Sequence, residues 1–140
     1  MEAPVTLAKI IQITEDSPIT LHPDFLEYLV MEKTEFAILV YSVSTRTIRL
    51  IATENDQVVK LIIEIDELTP GFLDSLGRVM TAHKLDTLYS SGICFTEESC
   101  QYEGYIDQKG LTLEILEPLK RDLLKIRGIA SVTLSILEIK

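Results

Sequence analysis

The chain has few of the residues from which catalytic and metal-binding sites are built. Its 140 residues include two histidines, two cysteines and no tryptophan. His22 and His83 belong to no HxxxH or cysteine–histidine spacing, so no motif supports a metal site. Phosphate-binding loops, dinucleotide-binding glycine patterns and GxSxG motifs are absent as well. We therefore predict a protein without catalytic residues, a bound metal or a cofactor.

Cysteines are too scarce to build a disulfide scaffold. Cys94 and Cys100 are the only two, and they do not form a CxxC pair. They flank the tip of a predicted hairpin, so a local bridge is geometrically conceivable. Two reduced thiols are the favoured interpretation for an intracellular protein.

Long apolar runs are absent too. No stretch approaches the roughly 20 residues that span a bilayer. The segment Met1–Pro4 lacks the basic residues and the following apolar stretch of a secretion signal. The sequence therefore predicts a cytoplasmic protein without a membrane partner.

Basic residues are outnumbered throughout. The chain has 13 lysines and arginines against 22 acidic residues, and its net charge is −9 at pH 7. Residues 1–55 contain eight acids and four bases, and residues 56–140 contain fourteen acids and nine bases. Because an acidic surface repels phosphate groups, nucleic-acid binding is disfavoured.

Apolar periodicity is abundant from Gln57 onward and alternates between strand and helix spacing. Val58–Ile65 is almost continuously apolar, which predicts a buried strand. The next apolar residues recur three and four positions apart, which predicts an amphipathic helix ending near His83. A second helix follows, in which Pro118 should start or kink the main part and Gly128 should act as the stop. The remaining predicted elements are strands at Leu85–Phe95 and Gln101–Asp107, the second helix at Leu113–Ile126 and a strand at Val132–Ile136.

The order β-α-β-β-α-β predicts an α+β fold for residues 56–140. Such a chain folds into a four-stranded antiparallel sheet with both helices on one face, a ferredoxin-like arrangement. The first strand is apolar on both faces, so the opposite face of the sheet also needs a cover. Either a second subunit or the N-terminal region supplies it.

Residues 1–55 predict a small β-rich domain with the order β-β-α-β-β. Short apolar runs separated by threonine, serine and proline are typical of strands joined by turns. A domain of this size has a small core, which favours dimerisation. The predicted elements are a strand at Ala8–Ile13, a turn at Thr14–Pro18, a short strand at Ile19–Leu21, a helix at Pro23–Val30 and a hairpin of Phe36–Val43 with Thr47–Ala52.

The segment Asp66–Leu73 joins the first C-terminal strand to its helix through a Pro-Gly turn. Glycine allows main chains to approach closely, and the first amides of a helix have no partner within it. Such amides can receive a carboxylate. The competing interpretation is an ordinary connection in which Asp66 or Thr69 caps the helix.

This turn, together with Gly77 and the segment Leu124–Val132, resembles the ACT domain, a small regulatory module that binds amino acids in metabolic enzymes and regulators. The resemblance covers Gln57–Glu138. It implies a ligand site between two subunits, with the second strand of the domain as a wall.

The ACT resemblance also implies a role for individual residues. The amides of Gly71 and Phe72 would hold the ligand carboxylate, and Asp66 would accept from the ligand ammonium group. The side chain that the site would recognise cannot be read from these residues. The implied ligand-binding residues are Asp66, Thr69, Pro70, Gly71, Phe72, Tyr89, Ser90 and Ser91.

In the N-terminal half, Ile19–Leu21 followed by His22–Leu29 resembles AbrB-type swapped-hairpin domains, whose dimers bind DNA through a basic strand-turn region. The chain departs from that pattern where Glu27 stands in place of a basic residue and where Lys33–Glu35 replaces a Gly-Asp pair. The fold could survive these departures, but the DNA-binding surface would not. The DNA contacts that the resemblance implies are Lys9, Arg46 and Arg49.

We predict a small regulatory or sensor protein that binds an amino acid or a similar metabolite at a dimer interface. One alternative is a DNA-binding transcriptional regulator that uses the N-terminal domain. Another is a ligand-free interaction module in which the ACT-like fold serves only for dimerisation. A homodimer or higher homo-oligomer is expected.

Overall fold

The computed structural model describes residues 5–14, 20–42, 44–108 and 110–139. Within these ranges the chain has three helices and seven strands in two antiparallel sheets, so the predicted α+β class is confirmed. The elements in chain order are β1 Leu7–Gln12, α1 Pro23–Met31, β2 Phe36–Ser42, β3 Thr47–Thr53, β4 Gln57–Ile65, α2 Phe72–Ala82, β5 Thr87–Thr96, β6 Ser99–Ile106, α3 Leu113–Leu124 and β7 Ile129–Glu138.

The larger sheet has the strand order β5-β6-β4-β7, and each neighbouring pair is antiparallel. β4 lies in its interior because its sequence is apolar on both faces. Val59, Leu61 and Ile63 are at most 1% exposed and pack in one cluster with apolar residues of α2 and α3. Val58 points to the other face and is also fully buried. The predicted buried strand is therefore confirmed, and β5 and β7 are the edges of this sheet.

The two helices above this sheet each bury one apolar stripe, as their spacing of three and four residues predicts. Thr112 caps α3 by accepting a hydrogen bond from the Ile115 amide at 3.2 Å. This cap begins the helix at Leu113, so Pro118 lies inside α3 and does not start it. The buried residues are Phe72, Leu76 and Met80 in α2 and Leu116, Leu119 and Leu123 in α3.

Gly128 holds the end of β4 against the start of β7. Its carbonyl oxygen accepts the amides of Asp66 at 2.9 Å and Glu67 at 3.3 Å. A Cβ at Gly128 would lie 1.9 Å from the Glu67 carbonyl oxygen, and the residue has a φ of +93°. α3 ends at Leu124, before this glycine, so Gly128 shapes the following turn rather than the last turn of the helix.

The smaller sheet has the order β1-β2-β3, again antiparallel. α1 begins at Pro23 after an extended His22, whose Nδ1 accepts from the Asp24 amide at 3.3 Å. Most of the predicted turn at Thr14–Pro18, and the start of the predicted strand at Ile19–Leu21, lie outside the described residues. Thr20 and Leu21 are described and are not in a strand, because neither takes part in a sheet pairing.

The smaller sheet packs against the face of the larger sheet that lies opposite α2 and α3. Ile10, Ile38 and Val40 from β1 and β2 form one buried cluster with Val58 of β4 and Tyr105 of β6. The N-terminal region therefore supplies the cover that the sequence requires for the second face of β4. The result is a layer of helices, a four-stranded sheet and a three-stranded sheet.

Candidate functional site

The Pro-Gly turn uses part of its hydrogen-bonding capacity within itself. The Phe72 amide donates to the Thr69 carbonyl oxygen at 3.1 Å, and the Ser75 amide donates to the Gly71 carbonyl oxygen at 2.9 Å. Asp66 is exposed. The sequence predicts that the Phe72 amide donates to a ligand carboxylate. That hydrogen bond would compete with the one this amide already donates to the Thr69 carbonyl oxygen.

An apolar groove of about 380 Å³ opens beside this turn, between the start of α2 and strands β5 and β6. Of the predicted ligand-binding residues, Phe72, Ser90 and Ser91 line it. Thr69, Pro70 and Gly71 are not among its lining residues. The other lining residues are Ile65, Leu68, Leu73, Gly92, Ile93, Cys94, Cys100, Gln101 and Tyr102. None of the described residues that line the apolar groove is charged.

The pairing of β5 with β6 decides which side chains of β5 point toward the apolar groove. Gly92 lies opposite Tyr102, which packs against the core beneath the helices. Ser91 lies opposite Glu103, on the face covered by the smaller sheet. Since side chains alternate along a strand, Ser91 contributes its main chain to the groove. Its hydroxyl is buried and has no hydrogen-bond partner among the described residues.

Tyr89 belongs to the contact between the two sheets rather than to the wall of the groove. It pairs with Tyr105 across β5 and β6, and the two rings stack with centroids 6.5 Å apart. Arg49 of β3 lies over the Tyr89 ring at 5.2 Å from its centroid. Tyr89 therefore does not line the apolar groove. Side chains alternate along β5, so its ring points to the face opposite that of Ser90 and Gly92.

A second groove, of about 270 Å³, adjoins the first and is acidic. Asp66, Glu64 and Glu98 line it, and it shares Ile65, Cys100 and Gln101 with the apolar groove. The structure thus places the predicted ammonium acceptor Asp66 next to the apolar groove rather than within it. In the part of the chain that is described, no group of three or more His, Cys, Asp or Glu residues could hold a metal ion.

Cys94 and Cys100 form a disulfide, whereas the sequence favours two reduced thiols. They are direct partners across β5 and β6, so the pairing of the hairpin brings the two sulfur atoms together. Both residues line the apolar groove. The sequence allows a local disulfide between the two cysteines. The register of β5 against β6, which places them opposite each other, is set by the fold.

The sequence did not reveal a buried polar cluster between the two sheets, which we call the Glu103 cluster: Glu103, Lys60, Thr6, Tyr105 and Gln101. The Glu103 carboxylate is fully buried. It accepts the Thr6 amide at 2.7 Å, the Thr6 hydroxyl and the Gln101 side-chain amide at 3.3 Å. Lys60 Nζ donates to the Thr6 carbonyl oxygen at 2.7 Å and lies 3.8 Å from Glu103. The cluster fixes the chain before β1 onto the larger sheet.

Burial changes the protonation behaviour of the Glu103 cluster. Desolvation lowers the pKa of the Lys60 ammonium, and the nearby Glu103 charge opposes part of that change. Desolvation also raises the pKa of Tyr105 to about 12, although its hydrogen bond with Thr6 opposes the rise. A signal exists in the sequence, since Lys60 is a single charge between apolar neighbours in a strand predicted to be buried.

The residues implied in DNA binding do not converge on one surface. Lys9 pairs with Leu39 on the outer face of the smaller sheet, whereas Arg49 pairs with Val40 on the face that meets the larger sheet. Arg46 lies in the β2–β3 turn with a φ of +54°. Phosphate groups on one side of the protein would therefore meet only part of this small set of bases.

His83 has a structural position. It ends α2, and its Nε2 lies 2.8 Å from the Asp122 carboxylate of α3. This hydrogen bond is the main reason why the pKa of Asp122 is lowered. The contact links the two helices that pack on the larger sheet.

No protein-family model matches the chain, and no curated protein matches it. Among the described residues, no helix is long and apolar enough to cross a membrane. The strongest candidate for a functional site is the apolar groove, since it combines a concave, uncharged lining with three of the predicted residues, Phe72, Ser90 and Ser91.

Proposed function

We propose that this protein is a small-molecule sensor in which residues 56–140 form an ACT-like regulatory domain of the ferredoxin-like type. The strand order β5-β6-β4-β7, with α2 and α3 packed on the same face of β4, supports that arrangement. The observation that carries the proposal is the apolar groove beside the Pro-Gly turn. Of the residues that the ACT resemblance implies, Phe72, Ser90 and Ser91 line this groove.

The ligand is an amino acid with an apolar side chain. Leu68, Phe72 and Tyr102 offer carbon surface, and no charged side chain among the described residues lines the groove to pair with a charged ligand group. Desolvating a charged ligand side chain there would cost free energy without a compensating partner. The ligand ammonium group faces the adjoining acidic groove, where Asp66 is exposed to solvent.

A thermal-shift screen of the standard amino acids tests this proposal. Leucine, isoleucine, valine, methionine and phenylalanine should raise the melting temperature in a concentration-dependent way, whereas aspartate and lysine should not. A ligand at a hundredfold excess over its Kd stabilises the folded state by about 2.7 kcal/mol, which such a screen detects. Calorimetry on the best binder then gives its affinity.

Gly92→Leu is the variant that tests the groove itself. A Cβ at Gly92 would lie 3.6 Å from the Gln101 carbonyl oxygen, an ordinary contact, so the variant should fold. The added side chain should fill the groove and remove ligand binding. Thr87→Leu is the matched control, because Thr87 is an exposed residue of the same strand and does not line the groove.

Two results would contradict the proposal. Unchanged leucine affinity in Gly92→Leu would show that the ligand binds elsewhere. A dimer that no metabolite stabilises would favour the ligand-free interaction module instead.

A further inference from the structure

The Cys94–Cys100 disulfide closes the outer end of the β5–β6 hairpin. All residues from Gly92 to Glu98 are exposed, so little apolar burial holds this half of β5 in place. β5 is also an edge strand and pairs only with β6 among the described strands. Within one chain, this half of the strand is therefore held mainly by its backbone pairing with β6 and by the disulfide that closes that pairing.

The two cysteines differ in their surroundings. Cys100 is 6% exposed and packs in the same core cluster as Phe72, whereas Cys94 is exposed. A reagent in solution therefore reaches Cys94 first, and Cys100 stays anchored when the bond breaks. Exposed disulfides are more easily reduced than buried structural ones.

The same disulfide forms part of the apolar groove. Both cysteines line it, together with Leu68 in the connection that follows β4 and Phe72 at the start of α2. When the end of β5 moves away from β6, one side of the groove moves with it. The groove therefore depends on a bond whose state the redox environment can change.

We propose that Cys94 and Cys100 form a reversible redox switch that controls the apolar groove. In the oxidised state the groove has its full lining, and reduction by a dithiol frees the end of β5 and weakens ligand binding. The effect on binding rests on the proposed function, but the release of β5 does not. A small-molecule disulfide that takes up the two electrons and two protons of the thiols reverses the step, and because the chain has no third cysteine, this reoxidation can restore only the same pair within one chain.

The chemistry is ordinary thiol–disulfide exchange. A thiolate of the reductant attacks Cys94 Sγ, the disulfide bond breaks, and Cys100 leaves as a thiolate that takes up a proton. The second thiol of the reductant then attacks the mixed disulfide and releases Cys94. The protein gains two electrons and two protons, and the dithiol becomes a disulfide.

Hydrogen exchange on the full chain, with and without dithiothreitol, tests the switch. Amides of the β5 end, residues 91–96, should exchange about tenfold faster after reduction, because the closed loop no longer limits local opening. Amides of β7 should not change. The double variant Cys94→Ser/Cys100→Ser should show the fast rate with or without dithiothreitol. Equal β5 exchange in the oxidised and reduced chain would overturn the switch.

Calorimetry with leucine as the probe tests control of the groove. The affinity should fall about tenfold on reduction and in the double serine variant, a typical size for coupling between two sites. Faster β5 exchange with unchanged leucine affinity would overturn control of the groove. If leucine does not bind the oxidised chain at all, the proposed function is wrong for this probe, and the exchange experiment still decides whether the disulfide constrains β5.

Discussion

Gly128 is the residue least able to accept a side chain. It combines a φ of +93° with a Cβ position 1.9 Å from the Glu67 carbonyl oxygen. Gly128→Ala should lower the free energy of unfolding by at least about 2 kcal/mol, since the left-handed backbone alone costs a non-glycine residue about 1–2 kcal/mol and the overlap adds to it. Urea unfolding measures the loss.

Gly110→Ala is the matched control for that prediction. Gly110 has a φ of +80°, but nothing lies within 4 Å of its Cβ position. Only the backbone cost of about 1 kcal/mol should appear. Equal losses in the two variants would show that the close approach to Glu67 has no energetic importance.

Tyr105 should make the protein sensitive to alkaline pH. Burial raises its pKa to about 12 from an ordinary 10.0, so the folded chain keeps the proton that the unfolded chain loses. Its contribution is complete below pH 10 and is lost as the pH rises from 10 to about 12. A difference of two pKa units corresponds to a loss of roughly 3 kcal/mol.

Urea unfolding at several pH values between 10 and about 12 checks the prediction. In Tyr105→Phe the decline with pH should be shallower than in the original chain. Tyr28→Phe provides the matched control, because it makes the same change at a tyrosine that is 58% exposed. Parallel curves for Tyr105→Phe and the original chain would contradict the role given to Tyr105.

At the scale of elements, β2 carries the docking of the smaller sheet onto the larger one. Ile38 is 0% exposed and belongs to the cluster shared with Val58 and Tyr105. Ile38→Ala should lower the free energy of unfolding by about 3 kcal/mol through lost burial and a cavity. Chemical unfolding followed by circular dichroism measures this.

Ile48→Ala is the control with the same change of side chain. Ile48 lies on neighbouring β3 and is 66% exposed. Ile48→Ala should change the free energy of unfolding by no more than about 0.5 kcal/mol. A cost similar to that of Ile38→Ala would mean that the outer face of the smaller sheet is covered by another surface in solution.

The elements themselves follow from the sequence more readily than their contacts do. Apolar spacing locates β4 and α2, and the acidic tip between Cys94 and Cys100 locates the β5–β6 hairpin. The site is harder to predict, because a shift of one residue along a strand moves a side chain to the other face. The sequence names the consecutive residues Tyr89, Ser90 and Ser91 for one wall, whereas the structure places the Tyr89 ring between the two sheets and Ser90 beside the apolar groove.

Contacts between segments that are distant in sequence cannot be predicted from the spacing of apolar residues. Glu103 meets the Thr6 amide across 97 residues of sequence, and nothing local to either residue marks the pairing. Pro118 does not start α3, because the local cap by Thr112 begins the helix at Leu113. Local signals determine elements, whereas burial and register determine sites.

At the scale of the whole molecule, the larger sheet has helices on one face and the smaller sheet on the other, so self-association through this sheet has to use an edge. β5 is a ten-residue edge strand that contains Ile93 and Phe95, which are 39% and 45% exposed, and Leu73 at the start of α2 is 71% exposed. Long apolar edges invite pairing with another strand. We expect a homodimer in which two copies of β5 meet.

Sedimentation equilibrium tests the dimer. The double variant Ile93→Lys/Phe95→Lys should be monomeric, since like charges would meet across the two-fold axis. Ile48→Lys, an exposed change on the other sheet, should remain dimeric. A monomeric original chain, or dissociation caused by Ile48→Lys, would contradict pairing through β5.

The reach of the Glu103 cluster has a consequence for how the protein is made. The Val5 and Thr6 amides bind a carboxylate that lies 98 and 97 residues further along the chain. A ribosome adds about 5–20 residues per second, so Val5 and Thr6 are synthesised roughly 5–20 s before Glu103, whose carboxylate their amides bind. During that interval the inner face of the N-terminal hairpin, with Ile38 and Val40, has no partner sheet. We therefore expect a chaperone that binds this apolar face during synthesis to raise the yield of folded protein.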